Sequence, residues 1–316
     1  MKKIDFYISI IKYYFYALRH KLFKYNTKQK SKYNGKSILK DLDGQLCIYN
    51  RLSLAKPCMI GRFGAVELLL INHYLRIKNH ISLDYSKNIR EQAKYCAGIF
   101  PNDNKTLNKV AEIYLNAIKD LDILAVWNFE DIEEYLVKYY TKNIDLIDLD
   151  SISSWKHNQF PWTKYLENKK VLVIHPFKKS IEKQYKNRDK LFINKDILPE
   201  FKELIVLKAV QSIGGSTEFD DWVEALEYMK SEIDKIDFDI ALIGAGAYGL
   251  PLASYIKKKG KQAIHYGGSL QMLFGIAGKR WKINGDLDKL QNEFWIYPSD
   301  DEKPYTYKKT EGGCYW

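Results

Sequence analysis

The sequence has 316 residues, 46% of them hydrophobic and 28% charged, a composition typical of a globular protein with one large α/β domain or two smaller ones. Its formal net charge of +11 is uneven, because residues 1–36 hold ten Lys or Arg and the single acid Asp5, which leaves +2 for the remainder. A body this close to neutral argues against nucleic acid as the main partner, since an extended phosphate track requires basic residues over the folded surface.

The N-terminal segment, residues 1–24, joins basic residues to apolar and aromatic ones. Lys12 interrupts its apolar run and no cleavage site of small residues follows, so neither a membrane-spanning helix nor a secretory signal is predicted. An amphipathic helix fits the pattern, and two locations are open to it. One is a membrane surface, where each basic residue contributes about 1 kcal/mol near anionic lipid. The other is its own domain or a second subunit.

Residues 26–36 are polar and basic without large aliphatic side chains, which predicts a linker. The segment and its linker, residues 1–36, therefore precede an α/β domain of residues 37–316, with an N-terminal half to residue 168 and a nucleotide-binding half from residue 169. Four cysteines lack C-x-x-C spacing, which predicts free thiols and a cytosolic location: Cys47, Cys58, Cys96 and Cys314. The oligomeric state is left open.

Strands and helices are predicted to alternate from residue 58 to residue 266. The predicted strands are Cys58–Ile60, Ile123–Trp127, Ile144–Leu149, Lys170–His175, Leu204–Ala209, Ile240–Ile243 and Gln262–Tyr266. The predicted helices follow Gly64 and Tyr248 and span Ser86–Gly98, Thr106–Lys119, Asp131–Tyr140, Lys179–Asn187 and Phe219–Ile233. This order predicts a Rossmann-like α/β fold, with a mostly parallel sheet, helices on both faces and ligands at the carboxyl ends of the strands.

A glycine-rich turn follows the predicted strand Ile240–Ile243. Gly244, Gly246 and Gly249 have the spacing G-x-G-x-x-G, and a helix is predicted after Tyr248. Glycines allow a tight turn and a close approach of the backbone, and the free N–H groups that open a helix attract phosphate. The sequence therefore predicts a site for a diphosphate.

A dinucleotide-binding site also needs an acid about 20 residues beyond the first glycine, and this acid is missing. The next predicted strand ends instead in His265, Tyr266, Gly267 and Gly268. This favours a phosphate-bearing ligand other than NAD. A turn that serves only the packing of the helix on the sheet is the alternative.

Candidate functional residues are chosen by their place at or just after a predicted strand, where an open α/β sheet binds its ligand. They are Arg62, Glu67, His175, Gln211, Tyr248, His265 and Gln271. Arg62 and Glu67 are expected to face one pocket, since an arginine binds phosphate with two N–H groups and a carboxylate holds a divalent ion or accepts a proton. The alternative is a carboxylate stabilised by the helix dipole and paired with Arg62.

His175 and His265 are candidates for donating a hydrogen bond to a phosphate or for acting as a base. Lys279 and Arg280 are candidates for binding a diphosphate between them. The alternatives are histidines bonded only to backbone, and basic residues that close a helix and match its dipole. Gly267 and Gly268 join the predicted ligand site beside His265. The tail, residues 311–316, is expected either to pack into the fold or to stack a base or sugar.

Two stretches resemble the GT-D type of bacterial glycosyltransferases, which occur in gene sets for surface polysaccharides and for protein glycosylation. IGRFGAVE, residues 60–67, is similar to the R-[FY]-G-D-G-E signature of that group, and residues 240–268 are similar to its C-terminal strand, glycine turn, helix and strand. Further stretches resemble a related family of largely uncharacterised bacterial proteins: HPF at 175–177, GAYGLPLA at 246–253, LFGIAGKRW at 273–281 and EGGCYW at 311–316.

The resemblance implies a Rossmann-like fold, a nucleotide-sugar donor and a divalent metal, Mn²⁺ or Mg²⁺, near an Asp-x-Glu motif. Ala65 stands where that motif has its first acid, and Glu67 alone remains as metal ligand or base. We therefore expect either a metal-free enzyme or one whose metal is held mostly by the donor diphosphate.

These observations predict a glycosyltransferase that is cytosolic or peripheral on the inner face of the membrane. It moves a sugar from a nucleotide diphosphate donor to a lipid-linked or glycan acceptor, as in the synthesis of bacterial surface polysaccharides such as capsule or O-antigen. Gly244, Gly246 and the helix after them are expected to bind the diphosphate, and Arg62, with Lys279 or Arg280, to offset its charge. Two other functions are open: an NAD(P)-dependent oxidoreductase acting on a nucleotide sugar, and a scaffold that keeps the fold without catalysis.

Overall fold

Nine strands form the central sheet of the part of the protein that the structure describes. The computed structural model describes residues 3–11, 30–127, 131–157, 159–215, 217–309 and 312–316. The strands are β1 Lys32–Tyr33, β2 Lys36–Leu39, β3 Cys58–Gly61, β4 Ile123–Val126, β5 Asp145–Asp148, β6 Lys170–His175, β7 Glu203–Lys208, β8 Ile240–Ile243 and β9 Gln262–His265. Their order across the sheet is β1-β2-β5-β4-β3-β9-β8-β6-β7, and all neighbours are parallel except β1 and β2.

Helices cover both faces of this sheet. The described helices are α1 (residues 3–11), α2 Asp41–Ser53, α3 Ala65–Lys78, α4 Lys87–Tyr95, α5 Asn104–Ala117, α6 Asp131–Tyr140, α7 Lys178–Tyr185, α8 Arg188–Leu191, α9 Trp222–Ile233, α10 Gly249–Lys258, α11 Leu270–Leu273 and α12 Lys279–Ile283. Residues of α1, α3 to α6, α9 and α10 belong to the core on one face. Residues of α2, α7, α8, α11 and α12 belong to the core on the other.

Residues along the central strands alternate between the two cores, because successive side chains of a strand point to opposite faces. In β6, Leu172 and Ile174 join the core that contains α10, whereas Val171 and Val173 join the opposite one. All four side chains are fully buried. A strand covered on both faces is apolar at every position, which is why β6 and β8 stand out in the sequence as short unbroken apolar runs.

The predicted fold class is confirmed, since strands and helices alternate around a mostly parallel sheet with helices on both faces. The bounds of β6, β8 and α6 are those predicted. Helix α9 begins at Trp222 instead of Phe219, because Asp221 caps it by accepting from the backbone N–H groups of Val223 and Glu224, both at 2.8 Å. Helices α2, α8, α11 and α12 are absent from the prediction.

The linker predicted over residues 26–36 is wrong from Lys32 onward, because β1 and β2 form an antiparallel hairpin at the edge of the sheet. Asn34 and Gly35 make its turn, with φ of 50° and 82°. This Asn-Gly pair is a strong hairpin signal that the basic composition around it concealed. Tyr33 is buried, and its hydroxyl donates to Glu133 at 2.8 Å. Residues 26–29 lie outside the described residues.

The strand order brings four carboxyl ends side by side at one edge of the sheet. Strands β3, β9, β8 and β6 are consecutive and parallel, so the loops after Gly61, His265, Ile243 and His175 are neighbours. In an open α/β sheet this is the edge at which ligands bind.

Candidate functional site

A cleft opens at the carboxyl ends of β6, β7, β8 and β9. It is lined by the loops that follow these strands, by the residues after α4, and by Tyr315 and Trp316 of the C-terminal tail. The cavity volume is about 120 Å³. The predicted candidates that line it are His175, Gln211, Gly244, Gly246, Tyr248, Gly268 and Gln271.

Residues 244–248, which we name the glycine cradle, all line this cleft. Gly246 has a φ of 53°, a conformation that favours glycine, and it begins a short 3-10 turn ahead of α10. The backbone N–H groups of Ala245, Gly246 and Ala247 have no acceptor in the described part of the chain. Successive free N–H groups before a helix form an anion-binding arrangement.

Buried aromatic rings support the cradle. Tyr248 stacks on Trp222, with ring centroids 4.7 Å apart and planes inclined by 7°. The hydroxyl of Ser212 donates to the carbonyl of Gly98 at 2.7 Å, so the Tyr248 hydroxyl donates to Ser212 Oγ at 2.7 Å. Tyr248 is only 2% exposed. Its buried side chain therefore supports the turn and is not available to a ligand.

His175 is a fixed hydrogen-bond donor beside the cradle. Its Nδ1 accepts from the backbone N–H of Phe177 at 3.0 Å, which leaves the proton of the neutral ring on Nε2. Burial lowers the pKa of His175 to about 3, so the ring is neutral at physiological pH. The ring lies against Gly244, where a Cβ would come within 2.5 Å of Cδ2. This geometry suits donation to an anion, whereas a base would need a ring nitrogen free of its proton and its donor.

We expect His175 to make the protein less stable as the pH falls. The histidine pKa is 6.5 in the ordinary state and about 3 when folded, so between these values the unfolded chain binds the extra proton. Stability is therefore unchanged above pH 6.5 and declines below it, by about 2 kcal/mol at pH 5 for this one group. Urea unfolding at pH 7.5 and pH 5 measures the loss.

A His175→Asn variant isolates this contribution, because an asparagine oxygen keeps an acceptor for the Phe177 N–H. The variant should lose less stability than the unchanged protein over the same pH interval. Equal losses would show that His175 is not buried in its neutral form.

Arg62 follows β3 and is half-buried. Its Nε donates to the carbonyl of Phe63 at 3.1 Å, and its guanidinium lies 4.9 Å from the centre of the Trp127 ring. Gly267, with a φ of 78°, makes room for it, since a Cβ there would be 3.2 Å from the guanidinium carbon. Burial lowers the pKa of Arg62, but an arginine in a protein keeps its charge.

A second arginine lies near the first. Nη1 of Arg280 donates to the hydroxyl of Tyr315 at 3.1 Å, and the guanidinium is 4.7 Å from the centre of that ring. The Tyr315 ring rests on Gly268, where any side chain would overlap it. Besides burial, the positive charge of Arg280 lowers the pKa of Arg62. The two guanidinium groups thus make the region beside Gly267 and Gly268 positively charged, which favours an anionic ligand there.

Glu67 is buried in the first turn of α3. Its carboxylate is folded back over Gly64, the residue before the helix, in the space that a Cβ would take. Burial raises the pKa of Glu67, and its own backbone N–H and the charge of Arg62 act against that rise. Burial raises the pKa of Tyr114, and the charges of Glu67 and Arg62 act on it in opposite directions, Glu67 raising it and Arg62 lowering it. The Tyr114 hydroxyl donates to the carbonyl of Ala247 at 2.5 Å. Tyr114 therefore connects the loop after β3 to the cradle.

The residues near Glu67 do not fit a resident metal ion. No group of three or more His, Cys, Asp or Glu side chains suited to a cation occurs among the residues that the structure describes. Ala65, at the place of the first acid of the Asp-x-Glu motif, is exposed. The loop after β3 thus offers one carboxylate, too few for a metal site built of protein ligands alone.

His265 has a packing role. It ends β9, is 4% exposed, and its ring occupies the space above Gly249 that a Cβ would fill. Burial, followed by the charge of Arg62, lowers the pKa of His265 to about 3. The third glycine of the G-x-G-x-x-G spacing therefore serves the contact between α10 and the sheet, and His265 is not among the cleft-lining residues.

Gln271 and Lys279 have other surroundings. Nε2 of Gln271 donates to the carbonyls of Ile276, Ala277 and Tyr315 at 3.0 to 3.2 Å, so this side chain holds the C-terminal tail. Lys279 is exposed and begins α12, which contradicts the alternative that it closes a helix, whereas its place in a diphosphate clamp stays a prediction.

The C-terminal tail packs into the fold, which was the first of its two predicted roles. The Trp316 ring lies 5.9 Å from Phe177 and 5.7 Å from Tyr307, measured between centroids. Tyr315 and Trp316 line the cleft as well, so stacking a ligand is open to them. Sequence reasoning missed Tyr114 and Trp127. Trp127 lies just after a strand, so the rule that selected the other candidates could have identified it. Tyr114 lies inside a helix, where that rule does not apply.

Comparison with known proteins identifies a family. The model of the GT-D-like family, described as a GT-D fold-like domain, matches residues 46–273. No protein with a curated description matches the sequence.

Two solved structures are similar in outline. One is described by the statement that the highly conserved domain of unknown function 1792 has a distinct glycosyltransferase fold, at 13% identity over 73% of this chain and 78% of that one, with a TM-score of 0.40. The other is a selenomethionine-substituted structure of domain of unknown function 1792, at 14% identity over 79% and 82% of the two chains, with a TM-score of 0.39. Values this low do not establish a shared activity.

Proposed function

This chain belongs to the GT-D-like family, and from that membership we propose that it is a glycosyltransferase. The reaction moves a sugar from a nucleotide diphosphate donor to an acceptor hydroxyl of a lipid-linked or glycan molecule. The observation that carries the proposal is the glycine cradle, which lines the cleft and has three backbone N–H groups without an acceptor in the described part of the chain. A diphosphate leaving group needs such donors, because negative charge grows on it as the glycosidic bond breaks.

Three side chains complete the anion site in this proposal. The Nε2–H of His175 donates to a diphosphate oxygen, and its neutral form avoids any need for a proton to bind or leave. Arg62 and Arg280 lie beside Gly267 and Gly268 and are not among the cleft-lining residues, and in this proposal they offset the charge of the leaving diphosphate from there. A planar guanidinium can donate two parallel N–H groups to two oxygens of one phosphate group. No residue of this set requires a metal ion.

Glu67 is the proposed base for the acceptor hydroxyl. Burial raises its pKa, which makes the carboxylate a stronger base, while the charge of Arg62 acts against that rise. Its carboxylate lies over Gly64, so a rotation of this side chain toward the acceptor is part of the proposal.

The cleft is too small for a whole donor. Its volume of about 120 Å³ is below the roughly 300–1,000 Å³ of typical ligand pockets. The proposal therefore assigns the cleft to the diphosphate, and the nucleoside and sugar to the space outside it, along Tyr315 and Trp316. Aromatic rings of this kind stack well on bases and on the apolar faces of sugars. We assign the enzyme to the cytosol, where nucleotide sugars are made, and to surface polysaccharide synthesis in bacteria.

Calorimetric titration of the full chain with UDP, GDP and CMP tests the proposal. We expect UDP or GDP, the two that carry a diphosphate, to bind. Gly246→Asn should weaken that binding about tenfold or more, because its side chain would cover backbone N–H groups that donate to the charged diphosphate. Asparagine tolerates a positive φ, so the fold should persist. Gly260→Asn is the matched control, because Gly260 also has a positive φ of 83° and open space, but precedes β9 at the opposite edge of the sheet.

Other outcomes separate the alternatives. Binding of NAD(P) with none of the three nucleotides would favour the oxidoreductase. Nucleotide binding without turnover of any nucleotide sugar would favour the scaffold. Equal affinities of Gly246→Asn and Gly260→Asn would remove the cradle from the binding site.

A further inference from the structure

Helix α1 has two apolar sides, and only one of them is used by the fold. Phe6 and Ile10 are buried, and the Phe6 ring lies 5.1 Å from that of Tyr135 on α6. The other side remains open to solvent. Its residues and exposed fractions are Ile4 at 63%, Tyr7 at 39%, Ile8 at 44% and Ile11 at 66%.

The exposed residues form one stripe, which we name the outward stripe. Their positions follow the spacing i, i+3, i+4 and i+7, so they share one side of the helix. Single exposed apolar residues are ordinary on protein surfaces. Four of them on one side of a short helix form a patch, and such patches are typical of sites that bind an apolar partner. Both of the sequence-based alternatives thus have a physical basis, since the helix packs on its own domain and still offers an apolar side.

Charge identifies the partner. The only acid of residues 1–36, Asp5, is paired with Lys138 and also accepts from the Tyr139 hydroxyl, both on α6. The hydrogen bond from Lys138, then that from Tyr139, lowers the pKa of Asp5, so the group stays charged and bound to the domain. The outward stripe therefore has no acid of its own, and the chain that continues from it is basic at Lys12, Arg19, Lys21 and Lys24.

We infer that the outward stripe binds the surface of an anionic lipid bilayer. A bilayer interface offers an apolar layer for the four side chains and diffuse negative charge for the basic residues, and the N-terminal 36 residues carry +9 of the net +11. A second copy of this chain would bring the same excess of positive charge to the contact, which disfavours it. None of the described helices meets the length and hydropathy that a membrane span requires.

The inference is independent of the proposed reaction, because it concerns a helix on α6 and not the cleft. It is tested without any nucleotide. The full chain is sedimented with vesicles of phosphatidylcholine alone and of phosphatidylcholine with phosphatidylglycerol. We expect binding to the anionic vesicles only, and weaker binding as salt is raised.

The decisive variant is the pair Ile4→Glu and Ile11→Glu, the two most exposed positions of the stripe. It should lower the fraction bound to anionic vesicles about tenfold or more. The matched control is the pair Ile193→Glu and Ile283→Glu, which adds the same two charges at positions 101% and 76% exposed elsewhere on the surface. The control should bind as the unchanged protein does. Circular dichroism confirms that both pairs are folded.

Two results would overturn the inference. One is equal vesicle binding by the Ile4/Ile11 pair and the Ile193/Ile283 pair. The other is no binding of the unchanged chain to anionic vesicles. If light scattering then shows a dimer that only the Ile4/Ile11 pair dissociates, the outward stripe is a contact between copies of this chain.

Discussion

Replacing Arg62 with alanine should lower kcat/KM for the nucleotide sugar by about 100-fold to 1,000-fold, the usual effect of removing one donor that stabilises charge in the transition state. The loss should appear mainly in kcat, because the charge that Arg62 offsets grows as the diphosphate leaves. The effect is measured as the rate at which nucleoside diphosphate is released from a nucleotide sugar that carries the nucleotide identified by titration.

The surroundings of Arg62 make this a test of function more than of folding. The Phe63 carbonyl that accepts from Arg62 also accepts from the indole N–H of Trp127, so it keeps a donor when Arg62 is removed. Arg62→Lys should recover only part of the activity, since an ammonium group lacks the planar pair of donors. Arg188→Ala is the control, because Arg188 forms a surface ion pair with Glu200 at 3.1 Å. Unchanged kcat in Arg62→Ala would remove Arg62 from the reaction.

Most of the fold could be predicted because its signals are local. The central strands are buried on both faces and therefore appear as short apolar runs, of which Lys170–His175 and Ile240–Ile243 were predicted to the residue. The edge hairpin was missed because Tyr33 is its one fully buried residue, and the basic residues around it indicated a linker. The outermost strand β1 has one neighbour and needs few apolar residues, so composition describes it poorly.

The candidate site was predictable only where backbone geometry determines it. Glycine spacing identified the cradle, but the same spacing does two things in the structure. Gly246 leaves open space at the cleft, whereas Gly249 admits the His265 ring. The sequence shows three glycines with no difference between these roles. His175 and His265 both end strands, but His175 faces the cleft and His265 faces α10. Which of these occurs depends on the loops that pack against each histidine.

The links between distant segments had no sequence signal at all. Tyr114 is a helix residue that reaches Ala247, and Gly98 is joined to Tyr248 through Ser212. Such contacts depend on how α5 and the loops after α4 and β7 pack around the cradle. A tyrosine at an apolar position of a helix is predicted to be a core residue. The sequence does not show that the hydroxyl of Tyr114 donates to the cradle.

Replacing Trp222 with alanine should have the largest effect on stability, a loss of about 3–5 kcal/mol in the free energy of unfolding. The side chain is fully buried and stacks face to face on Tyr248 beneath the cradle. Its removal leaves a cavity on one side of that ring and frees the turn to move. Urea unfolding measures the stability, and calorimetric titration of the same variant should show weaker nucleotide binding.

Trp222→Phe separates the packing of the ring from its polar atom. The indole Nε1 of Trp222 is buried and has no hydrogen-bond partner in the described part of the protein, so phenylalanine removes an unsatisfied donor while keeping an aromatic face against Tyr248. We expect this variant to lose less than about 1.5 kcal/mol and to keep its nucleotide affinity. If the alanine and phenylalanine variants are equally destabilised, the stack does not support the cradle. If alanine costs stability but leaves nucleotide affinity unchanged, the cradle keeps its shape without the ring beneath it, and its conformation must come from the glycines alone.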